Sequence, residues 1–173
     1  MTKRPKLTTA QRGLISTFTA ISGDESPAAQ AFIVQAADDA APDELPEIPT
    51  KALAALLADF WAFAAQRKGD LPVIRLAPVE GAPGLERLEI LQDDAPFLVD
   101  SVMGEIADQG LSVRSMFHPV VQVARDGKGV RLAEGATRQE SMIQVILERV
   151  GSDREAALIA GLQATLADVR AAV

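Results

Sequence analysis

The sequence predicts an α+β fold in which N-terminal helices precede a ferredoxin-like antiparallel sheet carrying two helices on one face. Three observations point there. Over roughly the first seventy residues the apolar positions recur at helical spacing. From Leu85 onward they alternate within short runs bounded by Gly and Pro. Those later runs follow the order strand, helix, strand, strand, helix, which is the βαββαβ plan short of its last strand.

Between Leu7 and Ser22, the residues Leu14, Ile15, Phe18 and Ile21 mark one face of a first helix. Ser26 and Pro27 supply an N-cap and a proline at the first helical position, so a second helix runs through Phe32, Ile33 and Val34 and stops before Pro42. Pro42, Pro46 and Pro49 each remove a backbone donor and restrain the preceding residue, which makes Pro42–Pro49 a linker. Thr50 is placed to cap a third helix with the stripe Leu53, Leu56, Leu57, Phe60 and Ala64, ending at Gly69. Residues 1–70 are thus expected to form a helical segment and residues 71–173 the sheet domain.

After Pro72, Val73–Leu76 reads as a short strand and Pro78–Gly84 as a turn region. Next come a strand at Leu85–Leu91, a helix at Pro96–Gln109 closed by Gly110, a long strand at Leu111–Arg125, a turn at Asp126–Gly129 and a strand at Ser141–Val150. Leu111, Val113, Phe117, Val121 and Val123 are expected on one face, and Ile143, Val145 and Leu147 alternate with Gln144 and Glu148, the pattern of half-buried strands. The last helix opens on the capping-box pattern Ser152 to Glu155 and carries Leu158, Leu162, Leu166 and Val169 on one face. The missing edge strand should come from upstream, with Pro72–Ala77 pairing antiparallel to Leu85–Leu91 and covering its open edge.

A composition of 48% hydrophobic and 24% charged residues suits a folded chain. The net charge of −7 and isoelectric point near 4.7 argue against nucleic acid or an anionic membrane as partner. Lys3, Arg4 and Lys6 lie in a basic opening that no apolar stretch follows, so no signal peptide is expected there. Nor is there an apolar run long enough to span a bilayer. Without cysteine the chain has neither disulfides nor thiolate metal sites, and a cytoplasmic location is expected.

The stretch Asp93-Asp94-Ala95-Pro96-Phe97-Leu98-Val99-Asp100-Ser101-Val102, then Gly110-Leu111 and Phe117-His118-Pro119-Val120, resembles the N-terminal region of the large bacterial NAD-specific glutamate dehydrogenases. Phe60-Trp61-Ala62-Phe63-Ala64-Ala65-Gln66-Arg67 upstream and Glu140-Ser141-Met142 downstream add to the resemblance, which covers Leu53 to Val173. It implies an ACT-like regulatory or assembly domain whose parent enzyme converts L-glutamate, NAD and water to 2-oxoglutarate, ammonia and NADH. The expected partners are the remaining domains of that enzyme or another copy of the chain, with a small amino acid as a candidate effector. A free-standing amino-acid-binding ACT homodimer is the alternative. NAD is a cofactor of the parent but is not expected to bind here, because no Gly-x-Gly-x-x-Gly follows a strand and Gly127-Lys128-Gly129 is too short to cradle a pyrophosphate.

In ACT domains the loop from first strand to first helix often takes the effector, which nominates Asp93, Asp94, Pro96, Phe97, Asp100 and Ser101. Free amides at a helix start attract a carboxylate. Against this, Phe97 stands where ACT domains generally carry a glycine, and three aspartates repel anions. The favoured alternative is that Asp94 caps the helix beginning at Pro96. His118 is the only histidine. It is expected within the long strand without a converging nucleophile, and Pro119 should mark an edge strand or a bulge. Phe60 and Trp61 are expected to close the core or mark an interface, Arg67 and Lys68 to be solvated, and neither catalytic nor metal-binding residues are expected in this chain.

Overall fold

A computed structural model describes residues 6–40 and 48–172; Lys3, Arg4 and most of the Pro42–Pro49 linker lie outside them. The helices α1 (Thr9–Ser22), α2 (Pro27–Asp39) and α3 (Thr50–Phe63) precede β1 (Val73–Pro78), β2 (Leu85–Asp93) and α4 (Leu98–Asp108). Then follow β3 (Val113–Phe117), β4 (Val120–Arg125), β5 (Arg131–Leu132), β6 (Thr137–Glu148) and α5 (Ser152–Ala171).

The sheet runs β1-β2-β6-β4-β5, with β3 also beside β6. The upstream edge strand forms as expected: β1 pairs antiparallel with β2 from Val73 opposite Leu91 to Pro78 opposite Glu86. A strand supplied by an N-terminal hairpin therefore occupies the place that the βαββαβ plan fills from its C-terminal end.

The expected long strand is broken. β3 and β4 both pair with β6 but stop on either side of His118 and Pro119. Proline offers no donor to a ladder, and α2 fills the break. Gln35 donates to the Val120 carbonyl at 2.8 Å and accepts from the Val120 amide at 2.9 Å, while Asp39 accepts from the His118 amide at 2.8 Å. A register shift between Val113 and Ser115 also turns the front of β3. Val113 is thus exposed, not on the buried face with Phe117, Val121 and Val123.

The strands are not half-buried, because helices cover both faces of the sheet. On one side Leu88, Ile90, Ile143, Val145 and Leu147 pack under α4 and α5, with Leu158, Leu162 and Leu166 from α5. On the other, Leu91, Phe117, Val121, Val123, Met142 and Ile146 join the cluster of α1, α2 and α3. β6 lies between β2 and the β3–β4 edge, so Gln144, expected to face solvent, is fully buried.

Three helix ends also differ from expectation. α3 stops at Phe63 instead of continuing to Gly69, and Thr50 is its first residue, with Pro49 at the cap position. Arg125 takes the Ala64 carbonyl at 2.8 Å and Arg131 that of Trp61 at 2.9 Å. Cations from the sheet thereby satisfy carbonyls that a longer helix would have bonded internally. Gly151, not Ser152, occupies the cap position of α5, without a side-chain capping bond.

Leu162 is fully buried between α5 and the sheet. Leu162→Asp places an uncompensated charge there and should cost about 4 kcal/mol or more. A cooperative thermal transition near the wild-type midpoint would show that this face of α5 is not buried.

Candidate functional site

The residues nominated around the β2–α4 corner separate in the fold. Asp93, the last residue of β2, turns toward the α1–α3 side, where its Oδ1 lies 2.6 Å from an Arg67 guanidinium nitrogen and 3.4 Å from Arg138 Nε. Asp94 does not cap α4. Its amide donates to the Gln139 carbonyl at 3.0 Å, and its Oδ1 accepts from the Ser141 hydroxyl at 2.7 Å. These bonds hold it against β6, one turn short of the helix start. Phe97 occupies the cap position instead, with φ 65° and ψ 8° and no side-chain capping bond.

Phe97 is the only residue other than glycine with positive φ among those described. It takes the left-handed conformation natural to glycine, at a cost of about 1–2 kcal/mol for an L-residue. The residue is 78% exposed. Pro96, Phe97 and Ser101 line one groove of about 510 Å³ between α4 and α5. Asp100 sits in the first turn of α4, where a carboxylate offsets the helix dipole. The corner thus gives three residues to the groove and ties two aspartates to the sheet.

His118 is better connected than the sequence suggested. Its Nε2 lies 3.0 Å from Ser141 Oγ, whose proton goes to Asp94. A hydroxyl that has given its one proton away can accept from the ring, which selects the tautomer protonated at Nε2. Ser141 is fully buried, and with this proton order the imidazole cannot act as its base. The chain Asp94–Ser141–His118 therefore ties the β2–α4 corner to β6 and to the break in the edge strand. Burial holds the imidazole below its usual value, against the opposing pull of Asp94 and Asp39. Burial likewise raises the Asp39 carboxyl, although the His118 amide opposes the shift.

Sequence reasoning missed the main polar cluster. Arg67, expected to be solvated beside Lys68, is only 1% exposed. It donates to Glu140 at 3.0 Å, and to the carbonyls of Asp70 at 3.0 Å and Leu71 at 3.1 Å. Arg125 meets the same carboxylate from the other side, with contacts at 2.8 and 2.9 Å. Glu140 is fully buried and completes the triad. The signal was present but unread: Arg67 and Glu140 both sit in stretches that carried the family resemblance.

A second buried carboxylate, Glu89, lies on the same side of the sheet. It accepts from Arg75 Nε at 2.7 Å and from Gln144 at 2.6 Å, and Asp59 of α3 bridges Arg75 and Arg87 at 2.7 and 2.8 Å. Burial raises the Glu89 carboxyl, with Arg87 and Arg75 opposing. Phe60 and Trp61 close the core: each ring meets Phe32, and Trp61 lies under the Arg131 guanidinium, 3.6 Å from the ring centre, while donating to Asp24 at 2.8 Å. Burial lowers Arg131 to about 10, opposed by Asp24. Among the described residues no group of acidic or histidine side chains is placed to hold a metal ion, and no helix is long and apolar enough to cross a membrane.

A family model described as the glutamate dehydrogenase ACT1 domain matches residues 32–162. The match runs from within α2 to within α5 and takes in α3, the whole sheet and both ion clusters. It begins well before Leu53, where the family resemblance began. No curated protein and no solved structure matches the chain.

Two outcomes follow from these clusters. Glu140→Ala leaves two buried guanidiniums without their shared carboxylate and should cost about 3–5 kcal/mol. Chemical denaturation showing a loss below about 1 kcal/mol would mean that water replaces the carboxylate without difficulty. For His118, a folded value below the unfolded one means that the folded chain binds fewer protons at mildly acidic pH. Its contribution is then complete above about pH 6.5 and lost as pH falls through the lowered value. The melting temperature of wild type relative to His118→Gln should therefore drop between about pH 7 and 5. Parallel curves across that range would contradict the assigned burial.

Proposed function

This chain belongs to the glutamate dehydrogenase ACT1 domain family, and on that premise we propose that it is the N-terminal regulatory and assembly domain of a large NAD-dependent enzyme. The catalytic part of that enzyme, in the cytoplasm, would oxidise L-glutamate with NAD and water to 2-oxoglutarate, ammonia and NADH. The single observation that carries the reading is the family match, which extends across both layers of the core. The fold adds a physical reason for a non-catalytic role. Its strongest polar groups are directed inward and hold α3 and the 64–71 crossing against the sheet, while the Ser141 hydroxyl beside His118 is buried and has given up its proton.

Dinucleotide binding commonly uses a glycine-rich turn leading into a helix, where free amides meet the pyrophosphate. Here the turn after β4 is Asp126-Gly127-Lys128-Gly129, and it leads to β5. Asp126 uses Oδ1 to accept from the amides of Lys128 at 2.8 Å and Val130 at 3.0 Å. Those donors serve the turn itself, which supports assigning NAD to another part of the parent.

The isolated chain is expected to give no saturable heat when titrated with NAD and to oxidise no glutamate. In the full-length enzyme, deletion of residues 6–172 should spare the chemical step and change subunit assembly or the response to effectors. One-to-one NAD binding by the isolated chain, or a deletion that leaves both assembly and effector response untouched, would overturn the proposal.

A further inference from the structure

The groove between α4 and α5 combines an apolar anchor with an acidic lining. Among the residues lining the groove between them, Glu105, Asp108 and Asp168 are acidic and no lysine or arginine is present. Pro96, Val169 and Ala172 add apolar surface. At one end stands Phe97, the most exposed large apolar side chain among the described residues. Glu105 is held by Gln109 at 2.9 Å, whereas Asp108 and Asp168 are exposed on the rim. The C-terminal end of α5 reaches the same place through Asp168, Val169 and Ala172, while Arg170 of that turn does not line the groove.

An aromatic side chain that anchors a desolvated contact is a common source of interface energy, and rim charges select the partner. We propose that this groove docks a basic segment of the remaining polypeptide of the dehydrogenase. An apolar side chain of that segment packs on the Phe97 ring, and its lysines or arginines reach Asp108 and Asp168. Charge complementarity identifies the occupant, since a second copy of a chain with net charge −7 brings mainly like charge. The inference rests on the reading of the chain as one domain of a larger enzyme.

Hydrogen exchange on the full-length enzyme and on the 173-residue chain tests it. The α4 and α5 amides bordering the groove should exchange at least about tenfold more slowly in the full-length enzyme. Asp108→Lys with Asp168→Lys, and separately Phe97→Gly, should return them to the rate of the isolated chain. Neither set should lower the melting temperature of the isolated chain, and Phe97→Gly should raise it by removing a positive-φ phenylalanine. Equal exchange in the two forms, or slow exchange that survives the charge reversal, overturns the docking. Slow exchange that grows with concentration of the isolated chain identifies a second copy and also overturns it. Protection found only on another surface of this chain rejects the groove and leaves the domain reading intact, whereas a natural gene product with no further polypeptide rejects the domain reading itself.

Discussion

Glu140 sits with no solvent exposure between Arg67 and Arg125, and the attachment of the α1–α3 layer to the sheet depends on how those charges are satisfied. A buried carboxylate is costly unless it is paired and hydrogen-bonded. The two guanidiniums do more than neutralise it. Arg67 also takes the carbonyls of Asp70 and Leu71, and Arg125 those of Ala64 and Gly129. One carboxylate on the central strand thereby fixes the end of α3, the following crossing and the β4–β5 turn. Gly129 shows how close this approach is, since a Cβ there would lie 1.8 Å from the Arg67 carbonyl oxygen at φ +83°.

The two faces of the sheet solve different packing problems. Under α4 and α5 the contact is chiefly apolar, through Leu88, Ile90, Ile143, Val145 and Leu147 against Leu158, Leu162 and Leu166. Toward α1–α3 the sheet carries Glu89 and Glu140 with their arginines, and α3 enters that network through Asp59. Apolar contact alone is tolerant of small shifts. Charged pairs are directional, so the second layer is held in one position relative to the strands.

This division gives the chain one helical face committed to its own sheet on the inside and exposed on the outside. On the α1–α3 side Arg67, Glu89 and Glu140 are turned inward, while the groove between α4 and α5 retains an exposed aromatic ring and an acidic rim. The Asp94–Ser141–His118 chain runs from the β2–α4 corner to the strand break held by α2. The corner is thus connected through hydrogen bonds to both layers of the fold.

The sequence by itself determined the helix order, the apolar face of α5 and the upstream hairpin that completes the sheet. All of these follow from local periodicity and from the punctuation of Gly and Pro, which act over a few residues. The same local pattern merged β3 with β4, did not foresee β5, and placed Ile21, which is exposed, on the apolar face of α1. The motif residues Arg67, Asp94, His118 and Glu140 were also visible, but their roles were not. Arg67 and Glu140 are separated by 73 residues and His118 and Ser141 by 23, and no local pattern says that such residues meet. Only the tertiary structure decided that Arg67 is buried, that Asp94 serves Ser141 instead of a helix cap, and that Gln144 is buried against Glu89. The physical reason is that burial of a polar side chain depends on distant partners that satisfy it, and those partners are chosen by packing.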